Sequence, residues 1–263
     1  MTVPHDLAKL SVRQFAERFR GEMIPLSNTF SYFCASTPLS EDDLKEYLEE
    51  PVAALPPKLA LPKISILLVP YLERANGKDR GSAKDRTLSK DREKPGGGDF
   101  VAMEKPADGK TANSAQVNLD GETVLAFALK DQEVAEYHYR FYHLLATVLG
   151  EKWSEETQTR YSRILREELS ADAHGEVDEP SWRLKQGLRR SQKGTVARSF
   201  QAYARQSFID TMTLYLHGIC CDIDVDTGPR QLPSRYLRKR LVALEEMFPP
   251  PAGYALFPEQ LEP

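Results

Sequence analysis

The stretch GKDRGSAKDRTLSKDREKPGGGDF, Gly77 to Phe100, sets the first limit on what this chain can fold into. It repeats Lys-Asp-Arg at a spacing of six, holds almost no large apolar residue before Phe100, and ends in three glycines ahead of Asp99. Such a segment buries too little apolar surface to offset the entropy of ordering it. The sequence therefore predicts a disordered insertion over 74–114, flanked by N-terminal helices and a first strand in 1–73 and by a hairpin and helical region in 115–263.

The flanks are each too little sheet to stand alone. Before the insertion, KISILLVPYLE reads as a buried strand limited by Pro70; after it, VNLDGETVLAFAL places two apolar runs around Asp120-Gly121, a hairpin signal. Together they predict a small three-stranded antiparallel sheet. Loop-closure entropy grows only logarithmically, so a long insertion does not prevent the two flanks from forming one fold.

The rest reads as helical. Helices are expected at Val12–Phe19 and at Glu41–Glu50, the second capped by Ser40 and ended by Pro51. Asp131 is expected to cap the next, Ser154 the one after, and further helices span Pro180–Ser191, Val196–Cys220 and Ser234–Phe248. Phe200, Ala204, Phe208, Met212, Tyr215 and Ile219 form an apolar stripe that marks the long helix as central. The predicted class is mainly α (α+β), a helical bundle with a small antiparallel sheet and a disordered internal insertion.

Composition narrows the function classes. Nothing approaches an apolar run of about 18 residues, and the start lacks the basic-then-apolar order of a secretory signal. A cytoplasmic protein without membrane contact is expected. Three cysteines, Cys34, Cys220 and Cys221, suit free thiols better than a disulfide framework.

Four stretches carry chemistry-bearing residues. In HYRFYH, His138 and His143 are five apart, which sets them about 140° apart around a helix and denies them joint zinc chelation. A polar pocket from Glu136, Tyr139, His143, Asp210 and His217 requires two helices to meet. His174 and Glu176 in AHGEVDE match a His-x-Glu pair, but no later Pro-Cys-x-x-Cys completes a zinc deaminase, so a polar turn is the better account. In LYLHGICCDIDVDTG, a calcium loop fails because the glycine and the bidentate Glu are misplaced, and the Asp-Thr-Gly triplet lacks the β-rich scaffold of an aspartic protease. Cys221 lies one turn from His217, yet a helix C-terminus followed by Asp222, Asp224 and Asp226 opposes a thiolate. Zinc on His217, Cys220 and Cys221 would need a further ligand such as Cys34 or His174; no cofactor is otherwise expected.

The fourth stretch is basic. The net charge is −4, with fourteen acids against six bases from Asp120 to Glu179, then seven bases and no acid before Asp210. One reading pairs acidic with basic helices inside the fold. The other exposes Arg183, Lys185, Arg189, Arg190, Lys193 and Arg198 to an acidic protein surface or a nucleic acid. The expected function is accordingly an interaction protein without catalysis. The alternative is a hydrolase-type enzyme, metal-dependent or not, using the pocket between the helices carrying His143 and His217.

Overall fold

The computed structural model describes residues 10–35, 39–75, 99–189, 196–221 and 230–257. The chain divides into two compact units. The first comprises Met1–Leu48 and Leu61–Tyr137, the second Glu49–Ala60 and His138–Pro263.

The first unit is built on strands β1 (Ile24–Pro25), β2 (Phe30–Cys34), β3 (Lys63–Val69), β7 (Ser114–Leu119) and β8 (Glu122–Ala128), in the order β1-β2-β3-β8-β7. The hairpin β7–β8 turns at Asp120-Gly121 as its sequence predicts, with Gly121 at φ 77°. The expected three-stranded antiparallel sheet is corrected. Strand β3 runs parallel to both β2 and β8, giving a mixed five-stranded sheet. The reason lies in the connections: both links, from β2 to β3 and from β3 to β8, are long enough for the crossover that parallel pairing demands. Strand β2, FSYFC, is too short to stand out in sequence.

A three-stranded antiparallel sheet does exist, but elsewhere: β4 (Tyr71–Glu73) pairs with β5 (Phe100–Ala102) on one side and β6 (Thr111–Ala112) on the other. Both partners fall inside the stretch expected to be disordered. From Asp99 onward Phe100, Val101 and Ala112 supply apolar contacts that hold this part of the stretch in a sheet, and Val101 is fully buried. Residues 76–98, which hold the repeat itself, lie outside the described residues.

Helix α1 (Val12–Phe19) starts at a capping box made by Ser11 and Gln14. It packs Val12, Phe15 and Ala16 on the sheet face formed by Leu67, Val69, Val124, Ala126 and Ala128. Ile64, Ile66, Leu68, Leu125 and Phe127 alternate to the other face and are also buried. Burial on both faces accounts for the continuous apolar runs of β3 and β8. Ser40 caps α2 (Glu41–Leu44) as expected, but Pro51 does not end the helical path. A π-helical stretch, Lys45–Glu49, leads into α3 (Glu50–Ala53), where proline sits in a first turn that needs no N–H.

Helix α4 (Val134–Glu151) opens in the first unit and continues into the second. Asp131 is not its cap: it adopts φ 60° and pairs with Lys105 at 2.8 Å. The second unit adds α5 (Glu155–Ser170), capped by Ser154, then α6 (Glu179–Arg189), α7 (Val196–Cys220) and α8 (Ser234–Met247). Helices α5, α6 and α8 all pack on α7. Its predicted stripe is buried from Ala204 to Ile219, with Phe200 only partly covered. Gly150 lets α4 approach α7: a Cβ there would sit 2.7 Å from Ile209 Cγ1. No helix among the described residues is long and apolar enough to cross a membrane.

Candidate functional site

The polar chemistry of the second unit is concentrated in three adjoining groups around α7. The first is an ionic network with no access to solvent. Arg240 of α8 reaches Glu168 of α5 at 2.6 Å, Glu176 at 2.8 Å and Ser207 Oγ of α7 at 2.8 Å. Lys185 of α6 lies 3.1 Å from Glu176 and donates to Gly175 O at 2.8 Å. Tyr203 donates to Glu176, and Tyr161 meets Thr211 Oγ1 at 2.7 Å. The four charged residues are at most 1% exposed. Two acids and two bases cancel, and every N–H-bearing nitrogen of the guanidinium has an acceptor, which is the condition under which buried ions are tolerated. Burial pushes the Glu176 carboxyl up, but Arg240, Lys185 and the Tyr203 hydroxyl outweigh it and hold it at about 2. Burial lowers the Lys185 ammonium despite Glu176 beside it.

The second group fixes the start of α6. Its first N–H groups meet two carboxylates: Glu179 N donates to Asp178 Oδ1 at 2.6 Å and Ser181 N to Asp210 Oδ2 at 3.2 Å. Gln206 occupies the other Asp210 oxygen at 2.8 Å, and Tyr139 donates to Asp178 Oδ2 at 3.2 Å. Negative charge at a helix N-terminus is favourable there. Burial nevertheless pushes the Asp210 carboxyl up against the hydrogen bonds from Ser181 and Gln206.

Of the expected pocket residues, Tyr139, His143 and His217 come together. The Tyr139 ring stacks on His143 at 6.1 Å between centroids and meets His217 edge-on at 6.2 Å. Thr213 lies 3.4 Å from His143 Nδ1. His217 is also against Tyr142, and burial together with His138 pushes its imidazole down to about 4, so it is neutral at pH 7. Asp210 lies near enough to raise the Tyr139 phenol electrostatically, after burial and Asp178. Glu136 is exposed and belongs to the first unit. The residue four before His143 is Tyr139 and the next is Arg140, so this helix face has neither the second histidine nor the glutamate of a zinc peptidase grip.

The third group is the thiols. Cys221 lies 3.4 Å from Nδ1 of His138, not against His217 as the one-turn spacing suggested. Hydrogen bonds from Cys221 and from Tyr142 outweigh burial and hold the Cys220 thiol down at about 6, while the Cys221 thiol moves up. The helix end acts in the opposite sense, since its dipole disfavours negative charge on either sulfur. Asp222, Asp224, Asp226 and the Asp-Thr-Gly triplet lie outside the described residues.

No three-residue group of His, Cys, Asp and Glu is placed to hold a metal ion among the described residues. The expected third ligands stand apart: His174 is exposed and Cys34 is in β2 of the first unit. No family model matches the chain. Neither the curated proteins nor the solved structures contain a match to it.

The basic stretch divides. Arg183 is exposed and pairs with Glu179 at 2.7 Å within α6, and Arg198 is exposed on α7. Lys185 is corrected from a partner-binding residue to a buried one, because the face of α6 that carries Ser181 also carries position 185. The side chain of Arg189, and Arg190 and Lys193 entirely, lie outside the described residues. Acidic and basic helices also pair, through Lys239–Glu167 at 2.5 Å, Arg160–Glu246 at 2.5 Å and Arg205–Glu151 at 3.7 Å.

Proposed function

We infer that this is a non-enzymatic interaction protein whose second unit presents the outer face of α6, with Arg198 of α7, to an acidic protein surface. The observation that carries this reading is the way the polar residues are engaged. Asp178 and Asp210 hold the first turn of α6, and Glu176 with Gly175 O holds Lys185 one turn further along. Groups that would serve catalysis are thereby committed to fixing one helix. Its outer side keeps Arg183 and Leu184 exposed, and Arg230 stacks 4.9 Å over Trp182 beside them. The Arg183–Glu179 pair is exposed on both sides, a type worth at most about 0.5 kcal/mol, so a partner carboxylate can replace Glu179. A fixed helix reduces the ordering cost of association. Two exposed arginines on this surface among the described residues, Arg183 and Arg198, and a net charge of −4 favour a local carboxylate contact on a protein over the many phosphates of a nucleic acid.

Affinity purification with the full chain, with and without nuclease, followed by mass spectrometry tests this. A partner that survives nuclease and is lost with Arg183→Glu/Arg198→Glu is the expected result. Capture unchanged by that folded double variant refutes the surface, and capture abolished by nuclease transfers the role to nucleic acid.

One observation favours the hydrolase-type alternative: His143 and His217 both flank Tyr139, which is 42% exposed. Activity profiling against ester, amide and phosphate panels separates the two. Turnover abolished by His143→Gln with the fold intact would replace the binding reading.

A further inference from the structure

The vicinal thiols are not absorbed by the binding reading, and their surroundings are specific. Cys220 is the last residue of α7 and Cys221 the next. Both are partly exposed, whereas the facing His138 of α4 is only 8% exposed. The Cys221 sulfur lies 3.4 Å from His138 Nδ1, and the Tyr142 hydroxyl, one turn further along α4, is within hydrogen-bonding reach of Cys220. Tyr142 has one proton, shared between Cys220 and Pro51 O, which lies 3.2 Å away. The other ionisable groups acting on the pair are Glu50 of α3 and, one turn back on α7, His217 beside His138. This places a hydroxyl near the first sulfur and an imidazole nitrogen, able to act as a base, beside the second.

We propose that Cys220, Cys221 and His138 form a hydroperoxide-sensitive modification site, in which Cys220 is oxidised and Cys221 resolves it to a reversible vicinal disulfide.

In the first step the Cys220 thiolate attacks one peroxide oxygen. An S–O bond forms, the O–O bond breaks, and the departing oxygen leaves as an alcohol, or as water from hydrogen peroxide, after taking a proton. Cys220 is then a sulfenic acid. In the second step His138 takes the Cys221 proton, the Cys221 sulfur attacks Cys220, the S–S bond forms and the S–O bond breaks. The hydroxyl group leaves with that proton as water. Two thiols and one hydroperoxide give one disulfide, one alcohol and one water.

The lowered pKa of Cys220 agrees with this order of attack, since the thiolate is the reacting species. Two neighbouring Cα atoms are about 3.8 Å apart, closer than the usual 4.4–6.8 Å of a bridge, so the product is strained and readily reduced. The strain falls on the end of α7. Cys221 N–H donates to His217 O at 2.9 Å, the last helical bond there among the described residues, and the bridged form gives it up.

The full chain and a peptide of residues 215–221, which has both thiols but neither His138 nor Tyr142, are alkylated side by side at pH 6 and separately treated with hydrogen peroxide. Expected is alkylation of Cys220 in the protein about tenfold faster than in the peptide, from its larger thiolate fraction tempered by lower nucleophilicity. Peroxide removes about two mass units from the peptide containing both residues, and dithiothreitol restores them. Cys221→Ser leaves a sulfenic acid on Cys220 that dimedone traps, and His138→Gln slows disulfide formation more than it slows alkylation. Equal alkylation rates in protein and peptide, oxidation confined to Cys34, or dimedone labelling of Cys221 in Cys220→Ser at the wild-type rate would each overturn the proposal. The wild-type measurements decide it even if a variant does not fold.

Discussion

The two units solve the problem of a buried core in opposite ways. Around the mixed sheet of the first unit, the α1-facing core is built on apolar residues from Val12 to Ala128, and the buried polar residues of that unit among those described, Ser11, Ser65 and Thr123, carry hydroxyls and no charge. In the second unit the centre is occupied by Arg240, Glu168, Glu176 and Lys185, and every buried Asp, Glu, Lys or Arg among the described residues lies there. An apolar core tolerates any close-packed arrangement of similar volume. A buried ionic core does not, since a partner displaced leaves a charge without water or counterion. The contrast teaches that the second unit is specified by pairing as well as by burial, and the helix it specifies most closely is α6.

That contrast can be broken experimentally. The largest effect is expected from Arg240→Ala, which strands Glu168 and Glu176 without their cation: about 3–5 kcal/mol lost in urea unfolding, with hydrogen exchange accelerated in α5 to α8. Replacing all four charged residues together by apolar ones of similar size should recover most of that loss. If the quadruple variant is as unstable as Arg240→Ala alone, the network is a true source of stability. In the first unit, Leu67→Ala should cost about 3 kcal/mol by cavity formation, with the same value at low and high salt. Gly175→Ala comes next, at about 2 kcal/mol or more. The residue has φ 73°, and a Cβ would sit within van der Waals overlap of Gln231 O.

Acid should sharpen the difference. Glu176 titrates at about 2 in the folded chain against 4.5 unperturbed. A lowered folded value means its contribution is complete above about pH 4.5 and is lost as pH falls towards 2. Protection of α5 to α8 in hydrogen exchange should therefore fall across that window before protection of β3 and β8 does. Simultaneous loss in both units would remove the distinction. Smallest is Tyr139→Phe, which deletes one exposed hydrogen bond to Asp178 and should cost at most about 1 kcal/mol in thermal melts.

Much of this was legible in sequence. Capping residues and periodicity located α1, α5, α7 and α8, because those signals are local. The parallel pairing of β3 was hidden, since it depends on where β2 returns after a long connection. The network left a trace that the charge pattern obscured. Glu168 follows Tyr161, Ile164 and Leu165 on one face of α5, and Arg240 sits among Leu237, Leu241 and Leu244 on α8. Opposite charges on two apolar stripes are each other's natural partners. Reading the basic residues as one surface missed that. The Cys221–His138 approach left none, because it joins α4 to the end of α7 across more than eighty positions.

The order in which the chain is made meets this architecture at one point. Residues 49–60 belong to the second unit, where Tyr142 donates to the buried Pro51 O at 3.2 Å, yet they precede most of the first. On a ribosome adding about 5–20 residues per second, that proline-rich segment emerges on the order of ten seconds before its partners exist. Until then its apolar residues, such as Pro51 and Ala54, are without the contacts that bury them in the folded unit.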